Sequence, residues 1–123
     1  IIPVQSHYLA ARGMTHLLKT ISRLRKHINP NLKIDGLLLT LVDNRTNLSK
    51  AVKFQLEKDY GSILKIYKTY IPFAIKTAEA SIIGKSILHY DENSKVSSSY
   101  SELAEEVISN GQNKDRVTAC KVR

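Results

Sequence analysis

A chain of 123 residues that is 42% hydrophobic can bury one modest core, so one domain or a piece of one is expected. Its net charge of +8, from 19 Lys+Arg against 11 Asp+Glu, suits either an ordinary solvated surface or contact with a polyanion such as DNA. Its single cysteine, Cys120, excludes an internal disulfide, and no apolar run approaches the ~20 residues of a membrane-spanning helix.

Ile1–Val4 reads as the end of a buried strand. The chain opens inside it with no initiator Met, so it is expected to be a piece of a longer protein. A helix over Tyr8–Ile28 follows, with Met14, Leu17, Leu18, Ile21, Leu24 and Ile28 on one side. Arg12, Lys19, Arg23 and Lys26 fall on the opposite side, as a solvated face or a polyanion-binding one. Asn29-Pro30-Asn31 ends the helix. Leu32–Val42 is the next strand, paired over about 34–42. Thr46 or Asn47 then caps a helix over Leu48–Tyr60, which Gly61 ends.

Ile63–Ile71 reads as a third strand, closed by Pro72. A short helix near Ala78–Ile83 and an irregular stretch come next. Ser99-Tyr100-Ser101-Glu102 has the form of a capping box, opening a helix that ends near Asn110-Gly111. The polar tail Gln112–Arg123 is expected to be disordered. Strand and helix alternate with short connections, which predicts an α/β fold with a parallel sheet. Three strand ends, each followed by polar or basic residues, suggest one functional edge, because open α/β sheets bind ligands at the C-terminal ends of their strands.

Familiar catalytic motifs fail. Gly84-Lys85-Ser86 resembles the end of a P-loop, but the Gly required six residues before the Lys is Glu79. His7, His16, His27 and His89 show no metal-ligand grouping, and no Ser/His/Asp or Cys/His set can be assembled. One reducing-compartment thiol fits a cytoplasmic location.

The motifs that remain are ordered. Ile2-Pro3-Val4-Gln5 leads to Tyr8, Ala10 and Gly13, and Leu38-Leu39-Thr40 leads to Asp43, Arg45-Thr46-Asn47-Leu48. Ile71-Pro72, Glu79-Ala80, Gly84-Lys85, Tyr90-Asp91 and Tyr100-x-x-Leu103-Ala104-x-Glu106-Val107 follow. Together they resemble the C-terminal half of ParA/Soj-type partition ATPases over residues 1 to about 110. The resemblance implies one domain over 1–111 and the C-terminal part of a three-layer P-loop NTPase-like fold. The P-loop half, with its phosphate-binding and catalytic residues, is not in this sequence, so no ATP turnover and at best very weak ATP binding are expected of the chain alone. ATP and Mg are the cofactors of the intact family protein.

The resemblance also implies partners: non-specific DNA on the nucleoid, a ParB/Spo0J-type protein, and a second copy in a homodimer. Its residue roles carry over in part. Pro72, Phe73 and Ala74 match a segment that lies against the adenine base, with Thr40 in the same nucleotide-binding set. The family has Arg and Asn where this chain has Phe73 and Ala74. Arg45 and Lys76 match positions associated with DNA, and Lys50 and Lys53 in the adjoining helix join them as DNA-binding candidates. The family usually has Glu where this chain has His7 and Arg12. A degenerate or stand-alone DNA-binding or regulatory module without nucleotide dependence is the alternative. Membrane-binding relatives end in an amphipathic helix, whereas this tail offers only Val117, Ala119, Cys120 and Val122, so no membrane attachment is expected.

Overall fold

A computed structural model describes residues 1–120. The chain divides into two compact units, Ile1–Lys68 and one from Thr69 onward.

The first unit is built on a parallel strand pair, β1 (Ile2–Gln5) and β2 (Leu37–Thr40), in the register Ile2↔Leu37 to Gln5↔Thr40. The helix between them, α1 (Tyr8–His27), makes this a β-α-β unit, as the alternating pattern predicts. β2 is buried along Leu37, Leu38 and Leu39, which explains why it reads as a continuous apolar run rather than an alternating one. The following helix, α2 (Asn47–Tyr60), buries Ser49, Val52 and Leu56 at helical spacing. α1 is less covered than its apolar stripe predicts. Met14 is buried and Leu18 and Ile21 are half-buried, but Leu17, Leu24 and Ile28 stand exposed.

The third strand expected over 63–71 is reduced to one parallel bridge, Leu37↔Ile66. The Leu37 N–H donates to the Lys65 carbonyl at 2.8 Å and the Tyr67 N–H to the Leu37 carbonyl at 2.9 Å. Pairing then stops. The Thr69 N–H donates instead to the Glu106 carboxylate at 3.0 Å, so a side chain takes a group that a ladder would need. Buried Gly36 sits where the Tyr67 ring and the Lys65 carbonyl close in: an added Cβ would meet them at 2.8 and 2.9 Å.

The second unit is helical: α3 (Ile75–Ile82), α4 (Ile87–Tyr90) and α5 (Lys95–Cys120). Among the described residues, Ile71, Ala80, Ile87 and Val96 are its buried apolar residues. α3 starts three residues before the expected position, and α4 occupies part of the stretch expected to be irregular. The capping box at Ser99–Glu102 also misplaces the start of α5. Ser94 opens that helix: its hydroxyl accepts the Ser97 N–H at 3.2 Å, a turn earlier. Ser98 instead donates to the Glu102 carboxylate at 3.1 Å inside the helix. Asn110-Gly111 does not end α5, whose backbone stays helical to Cys120. The last three residues of the tail, 121–123, lie outside the described residues.

Candidate functional site

The end of β2 is held by a short chain of hydroxyls. Ser49 at the start of α2 donates to Ser6 at 3.2 Å, and Ser6 donates to the Leu41 carbonyl at 2.9 Å. Both serines are buried, 6% and 3% exposed, so each hydroxyl needs its partner. The Ser6 N–H donates to the Thr40 carbonyl at 3.1 Å, and the Asp43 N–H to Ser49 Oγ at 3.3 Å. These bonds tie the end of β1, the loop after β2 and the first turn of α2 together. Leu41 has φ +52°, a left-handed backbone that costs a leucine about 1–2 kcal/mol, and it turns the chain out of the strand here. Thr46 caps α2 by accepting the Ser49 N–H at 3.3 Å, as its position before the helix predicts.

Asp43 and Arg45 form a closed pair in this turn. Arg45 Nε and Nη2 donate to the two Asp43 carboxylate oxygens at 3.0 and 2.9 Å, and the Arg45 N–H also donates to Asp43 at 3.0 Å. The Arg45 side-chain hydrogen bonds, then its backbone one, hold the Asp43 carboxyl down at about 2. The same bonds raise the Arg45 guanidinium above its ordinary value. Arg45 is 88% exposed, so its outer edge still faces solvent. On α2, Lys53 lies 4.0 Å from Glu57 and Lys50 is exposed.

Pro72, Phe73, Ala74 and Lys76 belong to the second unit, whereas Thr40, Arg45, Lys50 and Lys53 belong to the first. Phe73 is 56% exposed, and Ala74 is the residue before α3. Lys76 Nζ contacts the Asp91 carboxylate at 2.8 Å, which raises the lysine above its ordinary value. Beside it, the Tyr90 hydroxyl donates to Glu79 at 3.2 Å, a bond that keeps the phenol protonated and lifts its pKa. Sequence reading found neither the Lys76–Asp91 pair nor the Ser6–Ser49 bond, because fifteen and forty-three residues separate the partners.

Gly84-Lys85 is a helix ending, not a phosphate cradle. The Gly84 N–H donates to the Ser81 carbonyl at 3.2 Å and the Lys85 N–H to the Ala80 carbonyl at 2.9 Å, while Gly84 is left-handed at φ +66°. That pattern closes the C-terminus of α3. Both amides are already spent on the helix end, so Gly84-Lys85 does not offer them to a phosphate. Among the described residues, no group of three or more His, Cys, Asp or Glu could hold a metal ion, and no helix is long and apolar enough to cross a membrane.

The sequence that builds these elements is similar to that of known proteins. The chain is 42% identical over 111 residues to the sporulation initiation inhibitor protein Soj of Bacillus subtilis, a match covering 90% of this chain and 43% of that protein. It is 39% identical over 108 residues to the chromosome partitioning protein ParA of Caulobacter vibrioides, covering 88% and 40%. With the chromosome-partitioning ATPase Soj of Thermus thermophilus it shares 38% over 112 residues, covering 91% and 44%.

The chain is a homologue of part of the Soj/ParA proteins.

It spans less than half the length of these relatives. No family model matches the chain. The Soj/ParA resemblance read from the ordered motifs is thus matched by relatives over nine-tenths of the sequence.

Proposed function

We propose that this chain is the part of a Soj/ParA-type chromosome-partitioning ATPase that touches DNA and the base of the nucleotide. The observation that carries the reading is the identity to Soj and ParA over about nine-tenths of the chain. The turn after β2, with exposed Arg45 and the adjoining Lys50 and Lys53, and Lys76 on α3 are the DNA contacts in this reading. Pro72, Phe73 and Ala74 are the base-facing candidates in this reading, with the Phe73 ring supplying an apolar surface, and Thr40 of the first unit is a separate nucleotide-binding candidate. The whole protein, in its three-layer P-loop NTPase-like fold, dimerises, uses ATP and Mg, and meets a ParB/Spo0J-type partner on the nucleoid. The residues before this segment in its relatives supply the phosphate chemistry.

The test is the salt dependence of duplex binding. Weak, sequence-independent affinity falling linearly in log–log form is expected, with a slope of about −0.9 per neutralised phosphate. An Arg45→Ala/Lys76→Ala variant should flatten that slope by roughly two units, equally on unrelated sequences. An unchanged slope removes those two residues from the contact set.

One observation favours a second reading, a DNA-binding module without nucleotide dependence: Phe73 and Ala74 stand where the family has Arg and Asn, so the polar groups of the base-facing segment are lost. In that case ATP leaves the DNA affinity of the whole natural protein unchanged, whereas the partition-ATPase reading requires it to change.

A further inference from the structure

Six of the chain's 19 Lys and Arg residues fall in a stretch of sequence without a carboxylate. From Ile1 to Ile34 there is no Asp or Glu; the first is Asp35. α1 lies inside that run and carries Arg12, Lys19, Arg23, Arg25 and Lys26. Arg25 is engaged elsewhere, its Nε donating to the Leu32 carbonyl at 2.7 Å. The other four are exposed and, among the described residues, none is in an ion pair. At 100° per residue they fall within about 60° of arc and extend over about 21 Å of helix axis.

Three of the four DNA candidates named above differ in this respect; Lys50, exposed and outside these ion pairs, does not. Arg45 is clasped by Asp43, Lys76 by Asp91, and Lys53 stands beside Glu57. A phosphate approaching any of these meets a carboxylate as well. Asp59 lines the same groove as Arg12, and its carboxylate accepts from Gln55 Nε2 at 2.8 Å. Arg12, which is exposed, also lies 6.0 Å from the centre of the Tyr8 ring.

We infer that α1 presents a second phosphate-binding face, on which Arg12, Lys19, Arg23 and Lys26 take the backbone of duplex DNA. The inference rests on the DNA-binding reading above. About 21 Å of duplex carries about twelve phosphates at one charge per ~1.7 Å, ample for four cations in a row. A lipid surface fits less well. α1 contains no Trp or Phe, and its two most exposed apolar residues, Tyr8 and Leu9, stand together at its N-terminal end rather than forming an inserting face along the helix.

The experiment measures fluorescence anisotropy of two unrelated duplexes over a salt series. The variant is Arg12→Gln/Lys19→Gln/Arg23→Gln/Lys26→Gln, which keeps good helix formers at exposed positions. Its slope should be shallower than that of the unsubstituted protein by about 3.6 units, alike on both duplexes. An Arg12→Lys/Lys19→Arg/Arg23→Lys/Lys26→Arg variant keeps the charges and should restore the slope, which a mere loss of folding would not allow. An unchanged slope in the Gln variant, with binding intact, overturns the α1 face and leaves the DNA reading standing. No duplex binding by the unsubstituted protein defeats both. Should it bind phosphatidylserine vesicles through these cations and not DNA, the face belongs to a lipid surface and the inference is overturned.

Discussion

At the scale of single residues, Asp43 and the two buried serines make the sharpest claims. The Asp43 carboxyl sits at about 2 against an ordinary 3.8, so the pair's contribution is complete above 3.8 and is lost as pH falls through about 2. A carbon-detected NMR titration should find its midpoint near 2, returning toward 3.8 in Arg45→Ala. A midpoint that does not move would mean the fork is not formed in solution. Lys76 is held in the opposite sense: its pairing with Asp91 persists below its ordinary 10.5 and is lost as pH rises through its raised value. Ser6→Ala removes a donor to the Leu41 carbonyl and leaves the buried Ser49 hydroxyl without its acceptor. That should cost about 1–3 kcal/mol in urea unfolding. The double variant Ser6→Ala/Ser49→Ala should cost less than the sum of the two single changes, because each already breaks the shared bond.

At the scale of elements, apolar pattern and cap chemistry made most of the first unit legible. β1, α1 and α2 lie within a few residues of expectation, because each has an apolar run or a helical stripe with a Thr cap or Pro stop, whereas β2 covers only Leu37–Thr40 of the strand expected over Leu32–Val42. The remaining errors have local physical causes. The third strand fails because Glu106, far along the chain, captures the Thr69 N–H. The start of α5 was misread because a serine-rich run offers several caps, and only the Ser97 N–H shows which is used. Two substitutions test how β2 is packed and how α2 begins. Gly36→Ala drives a methyl into the Tyr67 ring and the Lys65 carbonyl and should destabilise by about 1–3 kcal/mol. Thr46→Ala loses the cap of α2 and should cost about 1 kcal/mol, with helicity lost first at its N-terminus. Thermal or chemical unfolding of both variants checks the two values, and a neutral Gly36→Ala would contradict the close approach.

At the scale of the whole molecule, the ordered motifs carried the family resemblance, but charge pairing decided which cations are free, and pairing was visible only in three dimensions. Asp91 sits fifteen residues from Lys76, and no spacing rule links them. The absence of carboxylates before Asp35, by contrast, could be read directly from the sequence. The central claim is that this Soj/ParA homologue binds duplex DNA through its phosphates, without regard to sequence. It is tested most directly by the affinity of the unsubstituted protein for two duplexes of unrelated sequence, measured from low to physiological salt. The account predicts equal affinities and a linear log–log decline steeper than about −2, as several neutralised phosphates require. No measurable binding at low salt, a flat salt dependence, or strong preference for one duplex would contradict it.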